Sequence, residues 1–246
     1  MTQEEFLRFP ALTKQELTEA IQTAVGQTRA SLHRFPETFK HIFSTNGFYT
    51  EAPNDQWTNG FWTGQLWLAY EFTGDSIFSH AAMLHTDSFR HRIENRIQTD
   101  THDLGFLYSP SCVAAYKLTG DRRARETAIM AADALLERFH EKGQFIQAWG
   151  RLDEPSNYRL IIDCLLNLPL LYWASEETGD PVYAQKAATH VKTALNVLIR
   201  PDYSTYHTFY FDPVTGNPLR GVTHQGYSAD SAWSRGQAWG VYGIAL

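Results

Sequence analysis

Residues 116–121 read Tyr116-Lys117-Leu118-Thr119-Gly120-Asp121, and the same ending returns in Tyr70-Glu71-Phe72-Thr73-Gly74-Asp75 and in Glu177-Thr178-Gly179-Asp180. Each follows an apolar stretch and precedes an amphipathic one. Glycine takes the left-handed conformation that stops a helix, and the aspartate caps the next. The three sites predict helix–turn–helix units whose glycines lie 46 and 59 residues apart. Paired helices recurring at that interval fit a closed toroid or an open solenoid.

Working outward, hydrophobic spacing predicts helices over 14–35, 61–72, 76–97, 109–118, 122–140, 158–177 and 181–199, with a last one opening near Asp230. Thr13 and Glu16 have the spacing of a capping box, and Pro181 suits a first helical turn. Within each pair the first helix is shorter and richer in aromatic and small residues. The second is conventionally amphipathic, as Ala124, Ala128, Ala131, Leu135 and Phe139 show. That difference is expected between an inner ring lining a cavity and an outer ring facing water, and it favours the toroid. The loops 98–109 and 144–157 would then sit at one rim, where sites accumulate.

The chain has 246 residues, 43% hydrophobic and 20% charged, enough for one domain with a sizeable core and far from the composition of disorder. A net charge of -6, without a Lys/Arg cluster, excludes a broad nucleic-acid footprint. The 15 Phe, 12 Tyr and 7 Trp often stand beside Gly, Asn, Asp or Gln, which suits a sugar-binding cleft as well as gap-filling between helices. Cys112 and Cys164, the two cysteines, lie in apolar stretches and read as reduced buried thiols. The amino terminus has no basic segment followed by an apolar run, and no stretch is long and apolar enough to span a bilayer. A cytoplasmic enzyme is the expectation.

Asp163 is the sharpest anomaly. It lies in Leu160-Ile161-Ile162-Asp163-Cys164-Leu165-Leu166-Asn167-Leu168-Pro169, otherwise almost wholly apolar. An isolated buried charge is too costly, so this carboxyl must be paired, hydrogen-bonded or protonated, the profile of a general acid. Asn167, four residues on, is placed to bond it or a substrate, and Pro169 to bend the helix. The alternative is a structural Asp–Asn pair tying helices together. Asp103, in Thr101-His102-Asp103-Leu104-Gly105-Phe106, reads either as a second carboxylate for glycosidic chemistry or as a helix-entry acceptor. In His224-Gln225-Gly226 through Trp233-Ser234-Arg235-Gly236-Gln237-Ala238-Trp239-Gly240, an Arg framed by two Trp suits a platform for an acidic sugar. A cation–π packing role is the other reading. His207 is a binding candidate or a core histidine. There is no HExxH, CxxC pair, EF-hand, Walker, dinucleotide or GxSxG pattern, so neither metal nor cofactor is expected.

Taken together, Trp57-Thr58-Asn59-Gly60-Phe61-Trp62-Thr63-Gly64, His102-Asp103-Leu104-Gly105-Phe106, Arg159-Leu160-Ile161-Ile162-Asp163 and Trp233-Ser234-Arg235-Gly236-Gln237-Ala238-Trp239-Gly240 closely resemble the unsaturated glucuronyl hydrolases of glycoside hydrolase family 88. The resemblance covers residues 57–246 and, more loosely, the amino terminus. It implies an all-α, (α/α)6 toroid of six helical hairpins, of which residues 1–246 would form a single catalytic domain covering the amino-terminal two-thirds. The chain reads as truncated at its carboxyl end.

The activity implied is removal of a 4,5-unsaturated uronic acid from the non-reducing end of lyase-generated glycosaminoglycan oligosaccharides. Asp163 would protonate C4 of the vinyl ether and activate the water that adds at C5. Asp103 would stabilise charge, and His102, His207, Gln225, Trp233, Arg235, Trp239 and Trp57 match binding positions. Unsaturated rhamnogalacturonyl hydrolase is the main enzymatic alternative, and an inactive carbohydrate-binding fragment the non-enzymatic one.

Overall fold

The structure, a computed structural model, describes Arg8 and residues 11–246. The reading of the other residues before Ala11 lies outside the described residues. Helix α1, Lys14–Leu32, opens on the predicted capping box: Thr13 Oγ1 accepts the Glu16 N–H, and the Glu16 carboxylate accepts the Thr13 N–H at 2.8 Å. A hairpin follows, β1 Phe39–Thr45 and β2 Phe48–Ala52, turning through Asn46 and Gly47, both at positive φ.

Three helical hairpins then form the predicted units. Helix α2 (Asn59–Thr73) pairs with α3 (Ser76–Glu94). The run α4 (Leu104–Tyr108), a π-turn at Ser109–Val113 and α5 (Ala114–Thr119) pairs with α6 (Arg122–Leu136). Helix α7 (Pro169–Thr178) pairs with α8 (Val182–Leu198), and α9 (Ser234–Ala245) follows. Gly74, Gly120 and Gly179 stop the first helix of each pair at φ of 69°, 75° and 76°. Asp75, Asp121 and Asp180 then accept the N–H groups of Ile77, Arg123 and Val182 at 2.7 to 3.0 Å. Thr73, Thr119 and Thr178 complete the motif: each hydroxyl donates to the carbonyl four residues back and accepts the N–H of the aspartate. One local code is written three times.

Helices α3, α6 and α8 pack side by side as an outer layer, with α2, the α4–α5 run and α7 inside. The architecture is predominantly helical, an arc of an (α/α) toroid. The inner run begins at Leu104, earlier than the sequence predicts, and Pro110 falls in the π-turn where the ladder is interrupted. Close approach of inner elements requires glycine: a Cβ on Gly105 would lie 2.2 Å from Asn167 Cα.

The predicted helix over 158–177 is corrected. Its first part is strand β5 (Arg159–Ile161), followed by a 3-10 turn at Ile162–Leu166. Pro169 opens α7 rather than bending a helix. The run Leu160-Ile161-Ile162 is buried on every side, so its apolar pattern carries neither period. β5 pairs antiparallel with β6 (Thr208–Phe211), which pairs with β7 (Pro218–Val222). A two-residue ladder, β3 (Phe139–His140) with β4 (Phe145–Ile146), completes the strands that a wholly helical reading passes over. The last helix begins at Ser234, not near Asp230. No helix among the described residues is long and apolar enough to cross a membrane.

Candidate active site

A cavity of about 690 Å³ opens at the rim of the arc, lined by Asp103, Asp163, His102, His207, Gln225, Trp233, Arg235, Trp239 and Trp57. Five separate segments supply them, around residues 57, 102–103, 163, 207 and 225–239. Asp103 stands at the entrance to α4, yet its side chain makes no cap hydrogen bond. Oδ2 instead accepts from Thr101 Oγ1 at 2.8 Å, while the Asp103 N–H donates back to that hydroxyl at 3.1 Å. The helix-entry reading of this residue therefore does not account for its carboxyl group.

Asp163 is carried by the 3-10 turn that follows β5. The β5–β6 ladder ends with the Ile162 N–H donating to the His207 carbonyl at 3.0 Å, which brings His207 and Asp163 to one wall. Between the two carboxyl groups lies His102, with Nε2 3.3 Å from Asp163 Oδ1 and 3.4 Å from Asp103 Oδ1. The contact is close but poorly directed: Asp163 Oδ1 has no aligned hydrogen-bond partner among the described residues. Burial opposes protonation of His102, but Asp163 and then Asp103 outweigh it and raise the ring's pKa. Burial raises the pKa of Asp103 as well, with His102 working against the shift and Asp163 adding to it. A ligand atom from each of the three residues lies within 4.8 Å of the others. That spacing could hold a cation.

Asn167 does not line the cavity. It is 1% exposed, and its Oδ1 accepts the Phe106 N–H at 2.8 Å while Nδ2 donates to the Asp163 carbonyl at 3.3 Å. The amide is spent on holding the two aspartate-bearing segments together rather than on a substrate or the Asp163 carboxyl.

Also lining the cavity, Arg235 stacks its guanidinium 4.4 Å over Trp233 and donates to Gln225 Oε1 at 2.5 Å. Trp239 is not the second face of that stack. It packs on Phe106, in an aromatic group that continues to Trp57 and Phe61. His207 meets the edge of Trp233, and its Nδ1 accepts the His224 N–H at 3.4 Å; burial pushes its pKa down to about 4, against the pull of Asp163. It therefore offers a neutral ring to the cavity.

The sequence reading does not reach Trp149, Phe43 or Ile42, which also line the cavity. Trp149 stands beside a glycine in a loop assigned to the rim, the one available signal. Phe43 and Ile42 fall in the register irregularity of β1 between Lys40 and Ser44. Such bulges re-aim side chains.

A profile of glycosyl hydrolase family 88 matches residues 31–246. The chain belongs to that family. It is 52% identical over 243 residues to an unsaturated chondroitin disaccharide hydrolase of Streptococcus pneumoniae, covering 99% of this chain and 61% of the relative. A crystal structure of unsaturated glucuronyl hydrolase from Streptococcus agalactiae, 53% identical, superposes with a TM-score of 0.94 over 97% of this chain and 60% of that one. A variant of that hydrolase complexed with dGlcA-GalNAc6S matches at 47% identity and a TM-score of 0.83, over 98% of this chain and 59% of that one. The chain thus spans about three-fifths of the length of these family members.

Proposed function

We propose that this protein is an unsaturated glucuronyl hydrolase, acting on the 4,5-unsaturated uronic acid at the non-reducing end of glycosaminoglycan fragments such as unsaturated chondroitin disaccharides. The observation that carries the reading is the pair of carboxyl groups, Asp103 and Asp163, flanking one buried imidazole at an aromatic-lined cavity. Family membership and the names of the relatives agree with it.

In the proposed reaction Asp163 donates a proton to C4 of the enol ether, leaving an oxocarbenium at C5. It then takes a proton from the water that adds there. The resulting hemiketal opens and releases the saccharide at C1. Asp103 and His102 sit where the developing charge is felt; Asp163 Oδ1 is buried beside His102 Nε2, while the partly exposed Asp163 side chain lines the cavity. Arg235, tethered to Gln225 and stacked on Trp233, is assigned to the uronate carboxylate; Trp57, Trp239 and His207 are assigned to sugar faces and hydroxyls. We further propose that residues 1–246 belong to one catalytic domain, and that the protein works in the cytoplasm, consistent with the buried free thiols Cys112 and Cys164.

The test is loss of ultraviolet absorbance by the conjugated double bond when the full-length protein meets unsaturated chondroitin or hyaluronan disaccharide. Turnover is expected. Absence of turnover there, with turnover of unsaturated rhamnogalacturonan disaccharide, replaces the reading with the rhamnogalacturonyl one. Binding without turnover of either leaves a carbohydrate-binding protein.

A further inference from the structure

His102 Nε2 lies 3.3 Å from Asp163 Oδ1 and 3.4 Å from Asp103 Oδ1. A charge-assisted N–H···O bond closes to about 2.7–2.9 Å, so both separations are long for a shared proton. Asp163 Oδ1 is buried, with no aligned hydrogen-bond partner among the described residues. The His102 side chain is 3% exposed and aims Nε2 between the two carboxyl groups.

These separations match a different geometry. Ligand atoms about 2.0–2.1 Å from a tetrahedral Zn²⁺ stand about 3.3–3.4 Å from one another. The third edge, between the two carboxylate oxygens, is within 4.8 Å and is the one that shortens when an ion binds. The donor set selects the cation. Ca²⁺ takes oxygen ligands, and the octahedron of Mg²⁺ places neighbouring ligands only about 2.9 Å apart, whereas imidazole suits zinc.

The surroundings favour positive charge at this point. Burial opposes protonation of His102, yet Asp163 and then Asp103 raise its pKa. Outer contacts hold the donors in place. Thr101 Oγ1 donates to Asp103 Oδ2 at 2.8 Å, leaving Oδ1 toward His102, and the Ala148 carbonyl accepts the His102 N–H at 2.6 Å. A histidine that holds a resident metal donates its second N–H to a carboxylate or carbonyl. His102 Nδ1 has no such partner among the described residues, so an ion here is held reversibly.

We propose that His102 Nε2, Asp103 and Asp163 form an inhibitory Zn²⁺ site at the catalytic centre, with the fourth ligand position toward the cavity. The ion takes the place of any proton on Nε2, which passes to the buffer, and it engages both carboxylates that the reaction needs. Inhibition rests on the hydrolase reading; the site itself rests on the geometry.

Calorimetric titration of the full-length protein with ZnCl2 in a non-chelating buffer tests it. One site is expected, with MgCl2 failing to compete at the same concentration. Loss of an outer partner alone weakens metal binding about 10–100-fold, so Asp103→Asn and Asp163→Asn should each weaken it at least tenfold. Anomalous diffraction from zinc-soaked wild-type crystals should place the ion at His102 Nε2, a result that needs no variant. Zinc should raise the apparent KM for unsaturated chondroitin disaccharide with kcat unchanged, and EDTA should reverse the effect without lowering the activity of untreated protein. Zinc affinity unchanged in both variants, or an ion bound away from His102, overturns the site. Activity lost to EDTA and restored by zinc makes the ion a required cofactor and overturns the inhibitory role. If no unsaturated disaccharide is turned over, the hydrolase reading fails, while calorimetry and diffraction still decide the site.

Discussion

The Asn167 amide accepts the Phe106 N–H at 2.8 Å, across a contact so close that Gly105 has no room for a side chain against Asn167 Cα. Through this bond the segment bearing Asp163 is registered against the helix that Asp103 precedes. Asn167→Leu should leave the Phe106 N–H buried and unpaired, costing about 1–3 kcal/mol and lowering Tm by several degrees, with kcat reduced more than KM is changed. Gly105→Ala should cost at least as much, since its Cβ meets backbone that cannot rotate away. Calorimetry and steady-state kinetics check both; wild-type stability in either variant contradicts the packing described.

Asp163→Asn keeps the shape of the side chain and removes the exchangeable carboxyl proton. A fall in kcat of at least about a hundredfold is expected, with disaccharide binding by calorimetry retained. Near-normal turnover would remove Asp163 from the acid/base role.

Arg235 is exposed and held in place by Gln225 and Trp233. Arg235→Ala should raise KM for the acidic disaccharide by about tenfold, equivalent to about 1.4 kcal/mol, with a smaller change in kcat. The effect should shrink with added salt. Unchanged saturation behaviour would show that the guanidinium does not meet the uronate.

Stability should fall on the acid side because of buried neutral histidines. Burial depresses His190 to about 3 and both His85 and His207 to about 4, from 6.5. A depressed group contributes stability that is complete above its unfolded pKa and is lost as pH falls toward the folded one. The window therefore runs from about pH 6.5 down to about 4 for His85 and His207 and to about 3 for His190, with a slope approaching about 1.4 kcal/mol per pH unit for each ring. Chemical denaturation across that range is the measurement, and a flat profile would contradict the burial of these rings.

The sequence by itself determined the helical hairpins, because their code is local. A threonine, a left-handed glycine and a capping aspartate act within a few residues, and the three copies close alike. It also marked Asp163, since a carboxyl in an apolar run is anomalous in any fold. Only the tertiary structure decided where that carboxyl sits. Leu160-Ile161-Ile162 is buried on every side and so shows no period, and the strand conformation of Arg159–Ile161 comes from pairing with Thr208–Tyr210, some fifty residues away. Tertiary structure likewise turned Asn167 from a site candidate into a brace, and drew Trp149 and Phe43 to the cavity. Which groups share a proton, and which face a sugar, depends on contacts between distant segments that no local pattern encodes.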